Sequence, residues 1–353
     1  MKPVQIGEFI IDDHSPPFII AEAGVNHESD YEMARKMIIE AREAGAHAIK
    51  FQTYEAKDLV ARDSPKYWED DRPDETQFEF FKRSSTWDRS SAIKLAEICD
   101  EIGIMFLSTG FDRESIDLLD ELGMPAFKVA SADITSLSLL RHIARKQKPM
   151  ILSTGASTIG EIERAIEVIN EEGNDQIILL HCILSYPTPK EHANLRMINS
   201  LQDIFPKYPI GFSDHIIPDG SFIVPITVTA LGGKVIEKHY TLDRSMKGND
   251  HFHSVDPPML KNLVDYTKAA HSALGSYLKH PIDIEKAARK NARRSIAVNT
   301  DLKIGDIIKS EHLTVLRPGT GISPYLEENL IGKELKKPIQ SGSLITWDHF
   351  IGD

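Results

Sequence analysis

Two cysteines, Cys99 and Cys182, are all the thiols the chain has, and they do not form a CxxC pair. That excludes a disulfide framework; Cys99 falls in a helical pattern and Cys182 ends an apolar run, so both are expected as buried free thiols. No apolar run is long enough to cross a bilayer. The opening MKPVQIGEFIIDDH has no charged-then-apolar leader, so a cytoplasmic protein without a membrane partner is expected. Basic residues are also short: 41 against 53 acidic ones give a net charge of -12, which argues against nucleic acid as a partner. An anionic small molecule stays open, because a few local lysines outweigh the global field at short range.

Hydrophobic residues make up 41% and charged residues 27% of the 353, as in ordinary globular proteins. Along the chain one unit recurs: four to six apolar residues, a polar cluster, then a helical pattern. The runs are FIIAEAG (18–24), HAIKFQT (47–53), IMFLSTG (104–110), AFKVAS (126–131), PMILSTG (149–155), QIILLHC (176–182), PIGFSDH (209–215) and KVIEKHY (234–240). They lack polar alternation over most of their length, as parallel strands covered by helices do. Tyr31, Ala34, Met37, Ile38 and Ala41 share a helical face, with Gly45 as C-cap. Similar helices are predicted near 87–101, 112–122, 159–171, 219–231 and 257–275. Eight strand–helix units favour a (β/α)8 TIM barrel, with a doubly wound open sheet as the alternative. The barrel is assigned to 1–280 and a basic linker to 281–292. A small Gly- and Pro-rich, β-rich domain follows at 293–353, with one helical stretch near Pro324–Leu330.

A barrel of this kind carries its site at the C-terminal ends of its strands. Those ends offer Glu22, then Lys50 and Gln52, then Lys128, Ser131 and Asp133. Ser153, Thr154, His181 and Tyr186 follow, and Ser213, Asp214, His215, Glu237 and His239 complete the strands. The loop RSMKGNDHFHS adds Asp250, His251 and His253. Thr109 and Thr154 read as N-caps of the next helix. A lysine ending an apolar strand must bury its stem and find an anion. Lys50 and Lys128 in one mouth with several hydroxyls and Glu22 therefore describe a site for a phosphorylated or carboxylated substrate. His215 and His239 come from neighbouring strands; a divalent-metal pair and two structural histidines fit the spacing equally well.

Several strings resemble the sialic acid synthase family: IIAEAGVNH (19–27), IKFQTY (49–54), FKVAS (127–131), ILSTGAS (151–157), HCILSYPTP (181–189), GFSDH (211–215) and EKHY…KGNDH (237–251). The tail RRSIAV…DLKIGD…LRPGTGIS…LIGKEL resembles the antifreeze-protein-like (SAF) domain that family carries. The resemblance implies condensation of phosphoenolpyruvate with an N-acetylated amino sugar such as N-acetylmannosamine, with release of phosphate. It implies Mn2+ or Mg2+ as cofactor, and a homodimer in which one subunit's small domain covers the other's barrel mouth. By the same resemblance Lys50, Lys128, Ser131, Ser153 and Ser213 cradle phosphoenolpyruvate, while His215 and His239 hold the metal. Glu22 lies between the substrates, Gln52, Asp133, Tyr186 and Asp250 contact the sugar, and Arg317 arrives in trans at its acetamido group. Catalytic work is assigned to Glu22, Lys50, Asp133 and Arg317. Two departures fall on the sugar side: Asp133 stands where the family commonly has Glu, and Leu184 where a small polar residue is common. Relatives making pseudaminic or legionaminic acid, or serving spore-coat polysaccharide synthesis, therefore stay open.

Two rivals remain from the residues: a Schiff-base aldolase using Lys50 or Lys128, and an inert barrel carrying an ice- or glycan-binding tail. The charged strand ends argue against the second, since an inert barrel has no need of them.

Overall fold

The computed structural model describes residues 1–68, 72–84, 89–248 and 250–351. The chain divides into two compact units, Met1–Gly275 and Ser276–Asp353.

The first unit opens on a hairpin absent from the sequence expectations, β1 (Val4–Ile6) and β2 (Phe9–Ile11). Gly7 begins its two-residue turn at φ +56, a left-handed conformation that suits glycine in a tight hairpin. Val4, Ile6 and Ile11 join the main core. A Cβ on Gly7 would strike Met105, and Lys2 N–H donates to Lys207 O just before the seventh barrel strand. The hairpin thus packs at the N-terminal ends of the strands, and the opposite mouth stays available for chemistry.

Eight parallel strands follow: β3 (Phe18–Gly24), β4 (Ala48–Thr53), β5 (Met105–Gly110), β6 (Phe127–Val129), β7 (Met150–Ser153), β8 (Ile177–Cys182), β9 (Ile210–Asp214) and β10 (Val235–His239). Each pairs with the next, and β10 pairs back onto β3. The sheet is therefore closed, which decides for the (β/α)8 barrel over the open sheet. Every residue of β3, β8, β9 and β10 is buried, as the unbroken apolar runs require.

The helices of this unit are α1 (Tyr31–Glu43), α2 (Ala56–Leu59), α3 (Gln77–Ser84), α4 (Arg89–Ile102), α5 (Arg113–Glu121), α6 (Leu137–Ala144), α7 (Ile159–Glu171), α8 (Arg196–Ile204), α9 (Ile223–Ala230) and α10 (Pro257–Leu274). In α1 the buried face is Ala34, Met37, Ile38 and Ala41, and Asp30 caps it by accepting from the N–H groups of Glu32 and Met33. Asp112 caps α5, and Thr158 with Glu161 forms a capping box on α7. These caps overturn the expectation for Thr109 and Thr154. Thr109 Oγ1 instead accepts from Lys50 Nζ at 2.9 Å, and Thr154 Oγ1 donates to Leu180 O. Among the described residues no helix is long and apolar enough to cross a membrane. Cys99 and Cys182 are buried and unpaired, as expected.

The second unit holds α11 (Lys286–Asn291), the antiparallel pair β11 (Ser295–Val298) and β12 (Leu313–Leu316), and α12 (Glu327–Leu330). Its separate core gathers Ile296, Val298, Leu302, Ile308, Leu335 and Ile345 among others. This small β-rich body has the character read from the tail.

Candidate active site

Register assembles the site. Pairing of β10 with β3 sets His239 beside Glu22, and pairing of β3 with β4 sets Glu22 beside Lys50. Pairing of β9 with β10 sets Ser213 beside Glu237. Glu237 and His239, two residues apart, share one face of β10.

Four buried charges meet there. Lys50 Nζ lies 2.6 Å from Glu22 Oε2 and 3.7 Å from Glu237 Oε2, and Lys128 Nζ lies 3.7 Å from Glu237 Oε1. The Ser213 hydroxyl donates to Glu237 Oε1 at 3.0 Å, and Gln52 Nε2 donates to Glu22 Oε1 at 3.3 Å. Their neighbours drive the two buried carboxylates apart in acidity. Burial pushes Glu22 up to about 7, opposed by Lys50 and aided by the like charge of Glu237. Burial also pushes Glu237 upward, but Lys128, Lys50 and the Ser213 hydroxyl outweigh it and hold its carboxyl below the ordinary value. Lys50 is held protonated because Glu22 and Glu237 overcome its desolvation, whereas desolvation prevails at Lys128 and lowers it. A carboxyl poised near neutrality beside one that stays ionised is the pattern of an acid–base pair. Glu237 was visible at its strand end but had no assigned role; its two-residue spacing from His239 is the signal that would have found it.

Lys128 has little to hold it. Among the described residues its ammonium donates only to the carbonyl of Val129, at 3.0 Å. Beside its strand, Ser153 Oγ on β7 is buried without a hydrogen-bond partner among the described residues. Ser131 Oγ accepts from Gly155 N–H at 2.9 Å, and a Cβ on Gly155 would fall 2.8 Å from that oxygen and 3.2 Å from Leu184 Cβ. Gly155 therefore lets Ser131, Cys182 and Leu184 pack closely against the backbone on this side of the mouth.

Imidazoles line the other side. His215 Nδ1 donates to Ile183 O at 2.9 Å, since a carbonyl only accepts, and this leaves Nε2 as the lone-pair nitrogen. The His215 and His239 rings are 5.4 Å apart, and the Tyr186 ring packs 4.0 Å from His215. His239 and His253 have ring centroids 4.7 Å apart. Burial lowers His215 to about 4 and His253 to about 3, and carries His239 well below its ordinary value, so all three are neutral and able to ligate. His239, Asp250 and His253 each offer one donor atom within 4.8 Å of the others. The orphaned Nδ1 of His239 and one of the two orphaned ring nitrogens of His253 fit a divalent cation.

Asp250 is 30% exposed; burial raises its carboxyl to about 6, with His251 pulling the other way. Asp133 follows β6 on a 3-10 turn, half-buried, and burial raises it to about 6 against the pull of Lys128. Asp214, left open by the sequence, pairs with Lys238 at 3.3 Å and accepts from Ile216 N–H. It is buried structure on the opposite strand face from Ser213. Arg317 belongs to the second unit, exposed immediately after β12.

A closed parallel barrel with paired carboxylates, two buried lysines and neutral imidazoles at its C-terminal mouth has the make-up of a (β/α)8 enzyme. Residues 37–279 match the NeuB family and residues 293–351 the SAF domain. The chain is 40% identical to the N,N'-diacetyllegionaminic acid synthase of Legionella pneumophila over 339 residues, 94% of each chain. It is 32% identical to the N-acetylneuraminate-9-phosphate synthase of Homo sapiens over 337 residues, 94% of this chain and 91% of that one. The solved N-acetylneuraminic acid synthetase of Leptospira borgpetersenii superposes with a TM-score of 0.73 at 33% identity, covering 81% of this chain and 95% of that one. The chain belongs to the NeuB family and is an enzyme of the sialic acid synthase type.

Proposed function

We propose that the enzyme condenses phosphoenolpyruvate with the open-chain aldehyde of an N-acetylated amino sugar, giving a nonulosonic acid and phosphate by C–O cleavage. The observation that carries this is the buried Lys50–Lys128 pair facing an acid–base pair of glutamates. With Glu22 protonated and Glu237 ionised, the four groups hold one excess positive charge where an anion would enter. Lys50, Lys128, Ser131, Ser153 and Ser213 bind the phosphate and carboxylate of phosphoenolpyruvate.

When bound at His215 and His239, Mn2+ or Mg2+ supplies a Lewis acid that polarises the sugar aldehyde. Gln52, Asp133, Tyr186 and Asp250 orient the sugar so that its C1 faces C3 of phosphoenolpyruvate. As the C3–C1 bond forms, Glu22 gives its proton to the aldehyde oxygen. Its carboxylate then takes a proton from the water that adds to C2, so one residue serves both steps. The new C2 hydroxyl passes its proton to the departing phosphate as the C2–O bond breaks and the keto group forms. Lys50, beside Glu22, stabilises that residue's ionised interval.

Two features favour a 2,4-diacetamido-2,4,6-trideoxyhexose over N-acetylmannosamine. One is the 40% identity to a legionaminic acid synthase. The other is Leu184, whose apolar side chain beside Gly155 suits a deoxygenated carbon better than a hydroxymethyl group. Exposure of Arg317 supports its delivery in trans within a cytoplasmic homodimer, where the SAF unit of one copy serves the barrel of the other. The test is phosphate release from phosphoenolpyruvate with Mn2+ and a panel of both sugar types. Release only with sugar, abolished by chelator and fastest with the diacetamido sugars, supports the reading; chelator-indifferent turnover contradicts it.

A further inference from the structure

The loop after β10 carries two histidines two residues apart, and the fold treats them in opposite ways. His251 has partners on both nitrogens: Nδ1 meets Thr241 Oγ1 at 2.7 Å and Nε2 meets Glu28 Oε1 at 3.0 Å. That is a satisfied structural histidine. His253 is equally buried, yet neither of its ring nitrogens has a hydrogen-bond partner among the described residues. Leaving a buried polar group unmet costs about 1–3 kcal/mol. An aromatic hydrocarbon would pack against Phe252 and Tyr186 without that cost.

The position of His253 is nevertheless firmly built. It ends the 3-10 turn His251–His253, which Ser254 closes by donating through its hydroxyl to Asp250 O. Asn26 locks the same turn to the barrel, donating to Ser254 Oγ at 3.1 Å and to Tyr240 O at 3.0 Å while accepting from Asp250 N–H. The scaffold fixes the ring beside His239, the other histidine with an orphaned buried nitrogen. Between them stands Asp250, Oδ2 3.4 Å from His239 Nδ1 and Oδ1 3.8 Å from His253 Nε2. Two imidazoles and one carboxylate converging from one side leave the remaining positions of a divalent cation open to a substrate.

We propose that His253 and Asp250 are ligands of the active-site divalent cation, added to His215 and His239, so that three imidazoles and one carboxylate hold it. This rests on the metal-dependent reading above and assigns two further ligands to that cation. Asp250 then acts on the sugar through the metal it shares with it. The turn Asp250–His253 becomes part of the metal site rather than only a wall of the sugar pocket.

The test is the affinity of the metal-free full chain for Mn2+, read from loss of the free-ion electron paramagnetic resonance signal. Wild type, His253→Phe and Asp250→Asn are compared, with His239→Ala as reference. We expect each of the first two substitutions to weaken Mn2+ binding at least tenfold, with His253→Phe keeping the ring packing. Imidazoles are also counted by X-ray absorption on the Co2+-loaded chains: three for wild type and two for His253→Phe. Should His253→Phe fail to fold, the wild-type count alone decides. Unchanged affinity in His253→Phe, or two imidazoles in wild type, overturns the proposal while leaving the metal-dependent reading intact. A wild-type chain that takes up no cation removes both.

Discussion

Glu237→Gln tests the charge cluster at its centre. The substitution keeps the shape and an acceptor for the Ser213 hydroxyl, now 3.0 Å away, but removes the negative charge 3.7 Å from both Lys50 and Lys128. Both ammoniums are buried, and removing one partner from a buried charge cluster costs about 3–5 kcal/mol. Urea unfolding of the apoprotein should register that loss. Adding Lys128→Met should return part of it, because the second change removes the stranded charge; the cycle measures their coupling. The same substitution should alter catalysis in a particular direction. Glu237's charge helps hold Glu22 up at about 7, so its removal lets Glu22 ionise more easily. The limb of the kcat–pH profile belonging to Glu22 should therefore move to lower pH. Stability within about 0.5 kcal/mol of wild type, the range of a neutral surface change, together with an unmoved limb, would refute the cluster as described.

Lys128→Ala should raise KM for phosphoenolpyruvate tenfold or more with a smaller effect on sugar KM, since among the described residues its ammonium donates only to Val129 O and lies 3.7 Å from Glu237, which leaves N–H donors for an anion; steady-state kinetics on each substrate would expose an unchanged constant. Arg317→Ala should impair sugar use and recover in mixed dimers with a barrel-site mutant, where one composite site stays intact; no recovery argues against delivery in trans. His27 gives a pH dependence: it accepts from Ser29 N–H at 3.0 Å, and burial holds its imidazole down to about 4. Below pH 6.5 the unfolded chain gains a proton that the folded chain refuses, so stability complete above 6.5 is lost as pH falls toward 4. The loss approaches about 3 kcal/mol. Unfolding of wild type and His27→Gln at pH 7 and 4.5 measures it, and equal losses in both chains would contradict the assignment.

The barrel was legible because each strand is an apolar run closed by polar groups. Phe18–Gly24 and α7 have the ends the pattern predicts, and the other strands are one to three residues shorter than their runs. Helix α6 escaped despite a clear buried face of Leu139, Leu140, Ile143 and Ala144, while other omissions had weak local signals. The hairpin β1–β2 has three-residue strands, and α8 buries only Ile198 and Leu201, too few positions for a clear period. Polar residues were harder to read than apolar ones, because a role depends on partners far along the chain. Thr109 looked like a cap until its hydroxyl met Lys50, 59 residues earlier. His251 and His253 look alike in DHFHS, and only the contacts of the folded chain separate the satisfied ring from the orphaned one. Asp214 and Ser213 are neighbours in sequence yet face opposite sides of β9, so the strand's period splits them between structure and site.

The most direct test of the central claim is mass spectrometry of a reaction with phosphoenolpyruvate labelled with 18O in the bridging position, Mn2+ and a diacetamido sugar. The account predicts a condensed 2-keto acid and one phosphate per turnover, with the label wholly in the phosphate. Label retained in the organic product, or no condensed acid alongside borohydride trapping of pyruvate on Lys50 or Lys128, would contradict it.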